Sequence, residues 1–368
     1  MVLRTEASER PVLLPEPCLN AVATAVPDHD VHDAFIEWAR GRIEDPRLAK
    51  LFDRMAGRSG IAHRWSVLDR APNGGTPIEP DGFYAHGVMP GTGKRMAQYA
   101  ESAPMLGLKA IEALREKVSL DGITHFVVAS CTGFVAPGVD QILARRLGLS
   151  PSVERLLIGF MGCYAAVTAL RSARHIVRSE PEARVLVLCV ELSSLHLAVT
   201  QEIEPLLAML QFGDGAAAAL VTAEPRGFAL GQPFATTLPD SHELIRWTIT
   251  DKGFAMHLSG EVPHRIAEGL ADPDFARAVT GGQPPSTITG WAVHAGGRSI
   301  LDSVENALAL APDALADSRG VLHDYGNMSS ATLMFVLERM LERGGVDNGV
   351  ALAFGPGLAA EGIGFRSI

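Results

Sequence analysis

The sequence predicts a layered α/β fold made of two duplicated halves, on three observations. Apolar runs such as Thr124-His-Phe-Val-Val-Ala-Ser130 and Ala183-Arg-Val-Leu-Val-Leu-Cys-Val190 stand out along the chain. They alternate with longer helical stretches, which puts helices on both sides of a sheet whose strands are covered on both faces. The third observation is a repeat, in which motifs of the first half return in order. Cys131-Thr-Gly after an apolar run is echoed by His294-Ala-Gly-Gly after Trp291-Ala-Val. Gly162-Cys163 opens a helix 32 residues beyond Cys131, and Gly326-Asn327 opens another 33 residues beyond His294. Phe212-Gly-Asp-Gly returns as Phe354-Gly-Pro-Gly357. The boundary falls between residues 224 and 231, giving an N-terminal half of 1–225 and a C-terminal half of 226–368.

In chain order, residues 30–42 and 47–55 carry amphipathic helical spacing, which sets Arg54 and Arg58 one turn apart on a shared face. Gly and Pro crowd residues 71–93, an irregular loop. A long helix over 95–118 precedes the strand at 124–130, a turn at Pro137-Gly138 and a helix over 139–147. Leu156 to Phe160 reads as a short buried strand and Ala165 onward as a helix. The strand at 183–190 follows, then one after Phe212, where Asp214 between two glycines holds a turn. In the second half Trp291-Ala-Val reads as a strand and 329–341 as a helix.

With 368 residues, 47% of them in the AVILMFWYC set and 20% charged, the chain is large enough for more than one core. A net charge of −10 argues against nucleic acid as the main partner. Residues 1–10 hold no apolar signal-peptide core, and the longest nearly apolar run, 156–170, is shorter than the ~20 residues that span a bilayer. A cytoplasmic protein with no membrane span is the expectation. The four cysteines are far apart and form no CxxC pair, which argues for reduced thiols over a zinc site or disulfides.

Cys163 draws attention because it sits on a strand-to-helix elbow, where the helix macrodipole favours a thiolate. Alone, it would read as a core cysteine, His294 as a turn histidine and Asn327 as a helix cap. The repeat changes that reading. If the halves are related by pseudo-symmetry, Cys163 and Asn327 occupy matching helix starts, and Cys131 and His294 matching strand ends. A nucleophile, a base and an amide donor then share one pocket. Two N–H donors aimed at one oxygen stabilise an oxyanion or enolate, which suits carbon–carbon bond formation on thioesters without a metal or redox cofactor.

The motifs Gly162-Cys163, His294-x-Gly-Gly-Arg-Ser-Ile-Leu-Asp302, Tyr325-Gly-Asn-Met-Ser-Ser-Ala-Thr332 and Phe354-Gly-Pro-Gly357 resemble those of the chalcone-synthase-like type III polyketide synthases. The resemblance runs from about residue 47 to the C-terminus. It implies a thiolase-type αβαβα fold, a homodimer, and iterative decarboxylative condensation of malonyl-CoA onto an acyl-CoA starter. By position it implies that Cys163 carries the acyl group, while His294 and Asn327 serve decarboxylation and hold the enolate. Phe212 falls at a gatekeeper position, and Arg54 and Arg58 fall where the family binds CoA phosphates. Cys131, Ser193, His196 and Ser329 fall on cavity positions, and Met256 on that of a second gatekeeper.

Several positions depart from the plant pattern. Ala295 replaces the usual Pro after the histidine, Cys131 replaces a Thr, and Met256 replaces a Phe. Met is flexible and admits a wider range of acyl shapes. Trp247 lies in a variable region opposite a cavity glycine. These departures point to a bacterial type, with a medium- or long-chain acyl-CoA starter and a pyrone or resorcinol product. The alternatives are a ketoacyl synthase III-like enzyme using a carrier protein, which typically shows His-Gln-Ala-Asn where this chain has His294-Ala-Gly-Gly, and a non-catalytic scaffold. A hydroxymethylglutaryl-CoA synthase would need a glutamate beside the cysteine, and no candidate stands out in the sequence.

Overall fold

The computed structural model describes residues 15–71, 76–78, 82–84 and 89–368. The N-terminal ten residues and much of the 71–93 loop lie outside the described residues. The first half runs β1 (Cys18–Ala25), β2 (His29–Asp30), α1 (His32–Arg40), α2 (Pro46–Ala56), β3 (Trp65–Ser66), α3 (Thr92–Lys117), β4 (His125–Ser130) and α4 (Val139–Arg146). It continues through β5 (Glu154–Gly159), α5 (Ala165–Ser179), β6 (Val185–Leu192), α6 (Ile203–Met209) and β7 (Asp214–Thr222). The second half begins with β8 (Phe228–Thr237), the hairpin β9 (Ile245–Thr250) and β10 (Gly253–Leu258), α7 (Val262–Ala271), α8 (Pro273–Thr280) and β11 (Gly290–Val293). It ends with α9 (Arg298–Ala307), α10 (Ala316–Tyr325), α11 (Ser330–Arg343), β12 (Gly349–Gly355) and β13 (Ala359–Ser367).

Nine strands are ordered β11-β12-β13-β8-β1-β7-β6-β4-β5. The pairing repeats between the halves. β4 runs parallel to β6, β6 antiparallel to β7 and β7 antiparallel to β1. In the same way β11 runs parallel to β12, β12 antiparallel to β13 and β13 antiparallel to β8. Only Cys18↔Ala229 and Leu19↔Phe228 join β1 to β8, so the strands form two sub-sheets linked at one corner.

Side-chain alternation builds the layers. On β4 and β6, Val127, Ala129, Val185 and Val187 face the central layer, packing on α5 and α11. Their neighbours Phe126, Val128, Leu186 and Leu188 face Ala110, Ile111 and Leu114 of α3. On the far side of the second sub-sheet, Val350 and Leu352 pack against Ile266 of α7 and Leu301 of α9. The result is αβαβα, with α5 and α11 in contact with each other and with strands of both sub-sheets. Both faces of these strands are covered, which is why they read as unbroken apolar runs.

One strand departs from expectation. β5 is an exposed edge strand rather than a buried one, pairing with β4 alone and leaving Leu156 42% and Leu157 44% accessible. Its run is apolar, yet among the described residues it has no strand on its outer side, and α4 and α5 cover its side chains only in part. No helix among the described residues is long and apolar enough to cross a membrane.

Candidate active site

The starts of α5 and α11 meet strand ends from both sub-sheets. β5 ends at Gly159, and the chain turns through Phe160 and Gly162, both at positive φ, into α5. Gly162 has φ +82°, and a Cβ there would lie 2.3 Å from Pro356 Cδ. The Phe354-Gly-Pro-Gly357 motif thus packs against the elbow that presents Cys163, and only glycine fits the contact. On the twin helix, Asn327 precedes α11, and Ser329 adopts φ +49°, ψ −127°, a strained conformation for a residue with a side chain.

Asn327 lies at the centre of the site. Its Oδ1 accepts the Ser329 N–H at 2.8 Å, and its Nδ2 donates to Gly296 O at 3.2 Å, in the turn after His294. The Asn327 amide and the Ser329 hydroxyl are also the side chains whose hydrogen bonding favours the ionised form of the Cys163 thiol. Burial is the largest influence on that thiol and pushes it up to about 12, above what a helix start alone would suggest. His294 is buried, its two ring nitrogens have no partner among the described residues, and burial depresses it to about 3. The imidazole is therefore neutral at physiological pH, with one nitrogen free to donate and the other to accept.

Phe212 forms an isolated bridge to Asn327, fixed by Gly213 N–H to Asn327 O (3.0 Å) and Asn327 N–H to Gln211 O (2.7 Å). Phe212 also lines an apolar cavity of about 280 Å³, together with Ser193, His196, Trp247, Met256 and Phe35 of α1. Cys163, His294 and Asn327 do not line this cavity, which extends toward α1 and α6. Its wall on the Cys131 side is pinned twice. Trp247 Nε1 donates to Cys131 O at 3.0 Å, and His196 Nε2 donates to Thr132 O at 2.7 Å. The Phe254 N–H reaches His196 Nδ1 at 3.0 Å, which sets the tautomer, and the two rings stack with centroids 4.2 Å apart. Cys131 itself is turned away from this cavity, toward Gly162.

Arg54 and Arg58 are exposed and make no ion pair among the described residues. α2 ends at Ala56, so Arg58 lies in the turn beyond the helix rather than on its face. Arg298 Nη1 donates to Arg58 O at 3.3 Å, which brings the arginines beside the start of α9 in the His294 motif.

Glu191 is the residue that sequence reasoning passed over. It is 0% exposed at the end of β6, and its carboxylate accepts from Cys131 N–H, Thr132 Oγ1 and Ser330 Oγ. Burial, the largest effect, pushes it up to about 7. A glutamate does therefore stand beside the cysteines, though both its oxygens are occupied. A charged residue closing an unbroken apolar strand was the signal available.

Across residues 16–225 the chain matches the family described as chalcone and stilbene synthases, N-terminal domain, and across 230–368 the C-terminal domain of the same family. It is 36% identical over 253 residues to the alpha-pyrone synthesis polyketide synthase-like Pks18 of Mycobacterium tuberculosis and of Mycobacterium bovis. That match covers 66% of this chain and 64% of each relative's length. PKS-I from the brown alga Ectocarpus siliculosus superposes with a TM-score of 0.86 at 30% identity, covering 98% of this chain and 100% of that one. The C-terminal type III polyketide synthase domain of Steely1, a type I/III hybrid from Dictyostelium, gives 0.86 at 26% identity, covering 96% and 99%. With both family domains matched in sequence along a fold shared with such enzymes, the chain belongs to the chalcone and stilbene synthase family of type III polyketide synthases.

Proposed function

We propose that this protein condenses malonyl-CoA onto an acyl-CoA starter held on Cys163. The observation that supports it most is the position of Asn327, within hydrogen-bonding reach of the Cys163 thiol and bonded to the turn after His294. His294 accepts the thiol proton in the same step in which Cys163 Sγ attacks the thioester carbonyl. A new C–S bond forms as CoA leaves and takes a proton. Malonyl-CoA then loses CO2, and the electron pair of the broken C–C bond moves onto the thioester oxygen. That enolate is held by N–H groups of His294 and Asn327. Its carbon attacks the acyl-Cys163 carbonyl, forming the new C–C bond and releasing the thiolate for the next cycle. Decarboxylation supplies the carbanion, so the chemistry calls on CoA thioesters as substrates and on no redox cofactor.

Arg54 and Arg58 bind the CoA phosphates in this scheme. The apolar cavity between α1, α6 and the hairpin β9–β10 takes the starter's tail, which favours a medium- or long-chain acyl group and a pyrone or resorcinol product. One relative, Pks18, is named for alpha-pyrone synthesis, in keeping with that choice. The edge of β5, which pairs with β4 alone and leaves Leu156 and Leu157 partly exposed, supports a homodimer formed through this edge. We place the enzyme in the cytoplasm, where its CoA substrates are made.

The test is incubation with labelled malonyl-CoA and acyl-CoA starters of graded length, followed by mass analysis. Chain-extended products without any carrier protein are expected, and Cys163→Ala should leave no acyl adduct on the intact protein. Products that require a carrier protein would replace this reading with that of a ketoacyl synthase. No CO2 release under any condition would favour a scaffold.

A further inference from the structure

Arg64 is buried to 2% exposure immediately behind Phe212, and its contacts converge on the bridge between Phe212 and Asn327. Nη1 donates to Phe212 O at 2.8 Å and to Met209 O at 2.9 Å, while Nε donates to His32 Nδ1 at 2.9 Å. Its aliphatic stem packs against Gly326, the residue before Asn327. At φ +68°, a Cβ on Gly326 would lie 2.9 Å from Arg64 Cγ and 2.8 Å from Gln211 O. The side chain thus grips both strands of the bridge, one through a carbonyl and the other through van der Waals contact.

The remaining contacts are poor for a purely stabilising residue. Arg64 makes no ion pair among the described residues, and Nη2 has no hydrogen-bond partner. Its guanidinium carbon lies 4.6 Å from the centre of the Phe35 ring instead. Asp30 and Asp214 balance its charge only from a distance. Burying an unpaired guanidinium is costly, and an apolar side chain of similar size would fill the space without that cost. The features an apolar residue lacks are the planar donors that fix the Phe212 and Met209 carbonyls together with His32.

We propose that Arg64 is a positioning residue for the condensation, acting through Phe212 to hold Asn327 in register with His294 and Cys163. It touches no reacting atom. Its effect falls chiefly on the enolate-forming step, which needs Asn327, and less on the Cys163 thiol, whose ionisation Ser329 favours along with Asn327. The inference rests on the function proposed above.

The experiment measures two properties of full-length wild type, Arg64→Met and Arg64→Lys. One is CO2 release from carboxyl-labelled malonyl-CoA without a starter, and the other is the rate at which iodoacetamide alkylates Cys163. With Asn327 out of register, Arg64→Met should release CO2 on the order of 100-fold more slowly, the scale of loss when a reacting group shifts by about 1 Å. Alkylation should slow by less than about tenfold, because Ser329 and the helix start still favour the thiolate when Asn327 shifts. Arg64→Lys keeps the charge and one donor, so it should fall between the two, and it carries the test if the Met variant does not fold. Equal losses in both measurements would mean that Arg64 only supports the fold, and unchanged CO2 release in a folded variant would equally overturn the proposal. Wild-type protein that releases no CO2 at all would instead sink the proposed function, and this inference with it.

Discussion

Cys131 Sγ accepts the Gly162 amide N–H at 2.9 Å, so the second thiol of the site holds the elbow of the first. Burial, followed by the nearby Glu191 carboxylate, pushes Cys131 well above the usual thiol range, and it stays protonated. Its sulfur is an acceptor for the elbow and a poor nucleophile. Serine offers the same acceptor in less space, whereas alanine leaves the half-buried Gly162 N–H without that partner. Cys131→Ala should therefore cost about 1–3 kcal/mol of stability and Cys131→Ser clearly less, read from denaturant midpoints at pH 7. Brief iodoacetamide treatment followed by peptide mapping should mark Cys163 and not Cys131. Early label on Cys131 would contradict its structural role.

The pH dependence of stability should carry the signature of His294. The folded protein holds this imidazole near 3, against 6.5 for the free side chain, because burial penalises the charged form. Between those values the unfolded chain binds a proton that the folded protein does not. Stability must then fall as the pH drops from 6.5 toward 3. His294→Gln removes that contribution, so its denaturation midpoint should vary less across the window than that of wild type. Parallel curves for the two proteins would mean that the imidazole is charged in the folded state.

Much of this arrangement was legible in the sequence, and the reasons are local. The β4 and β6 runs announce strands buried on both faces, and the repeated Gly-Cys and Gly-Asn helix starts announce the duplication that brings Asn327 to the cysteine's side. β5 misled because composition alone does not reveal whether a strand has a neighbour. Arg64 and Glu191 stayed hidden because a charged residue's burial depends on partners far away in sequence, here Met209 and Phe212 for one and Cys131 and Ser330 for the other. The indole of Trp247 was unassigned for the same reason, since its acceptor, Cys131 O, is 116 residues away.

Met256 should set the length of starter that the cavity accepts. It is half-buried on β10 and lines the apolar space with Trp247 and Phe212. A phenyl ring there fills volume that a flexible thioether leaves adaptable. Met256→Phe should lower kcat/KM for dodecanoyl-CoA relative to hexanoyl-CoA by about tenfold, the scale of one or two displaced methylenes. Competition between the two starters, read by product mass, measures the ratio directly. An unchanged ratio would place the acyl tail elsewhere.

Glu191 couples the charge of the site to pH. The carboxyl is raised from 4.5 to about 7 by its burial, so the folded protein keeps a proton that the unfolded chain releases. Its contribution to stability is complete below pH 4.5 and is lost as the pH rises through 7. Once ionised, Glu191 also opposes formation of the Cys163 thiolate, on which its charge acts as a raising influence. Glutamine fits the same hydrogen bonds. Its carbonyl can accept from Cys131 N–H and Thr132 Oγ1, and its amide can donate to a rotated Ser330 hydroxyl. Glu191→Gln should thus flatten the fall in stability between pH 4.5 and 7. It should also shift the pH profile of Cys163 alkylation to lower pH, because the thiolate no longer forms beside a second negative charge. If the alkylation profile instead stays fixed while stability changes, the carboxylate is supporting the Cys131–Thr132 turn without tuning the nucleophile.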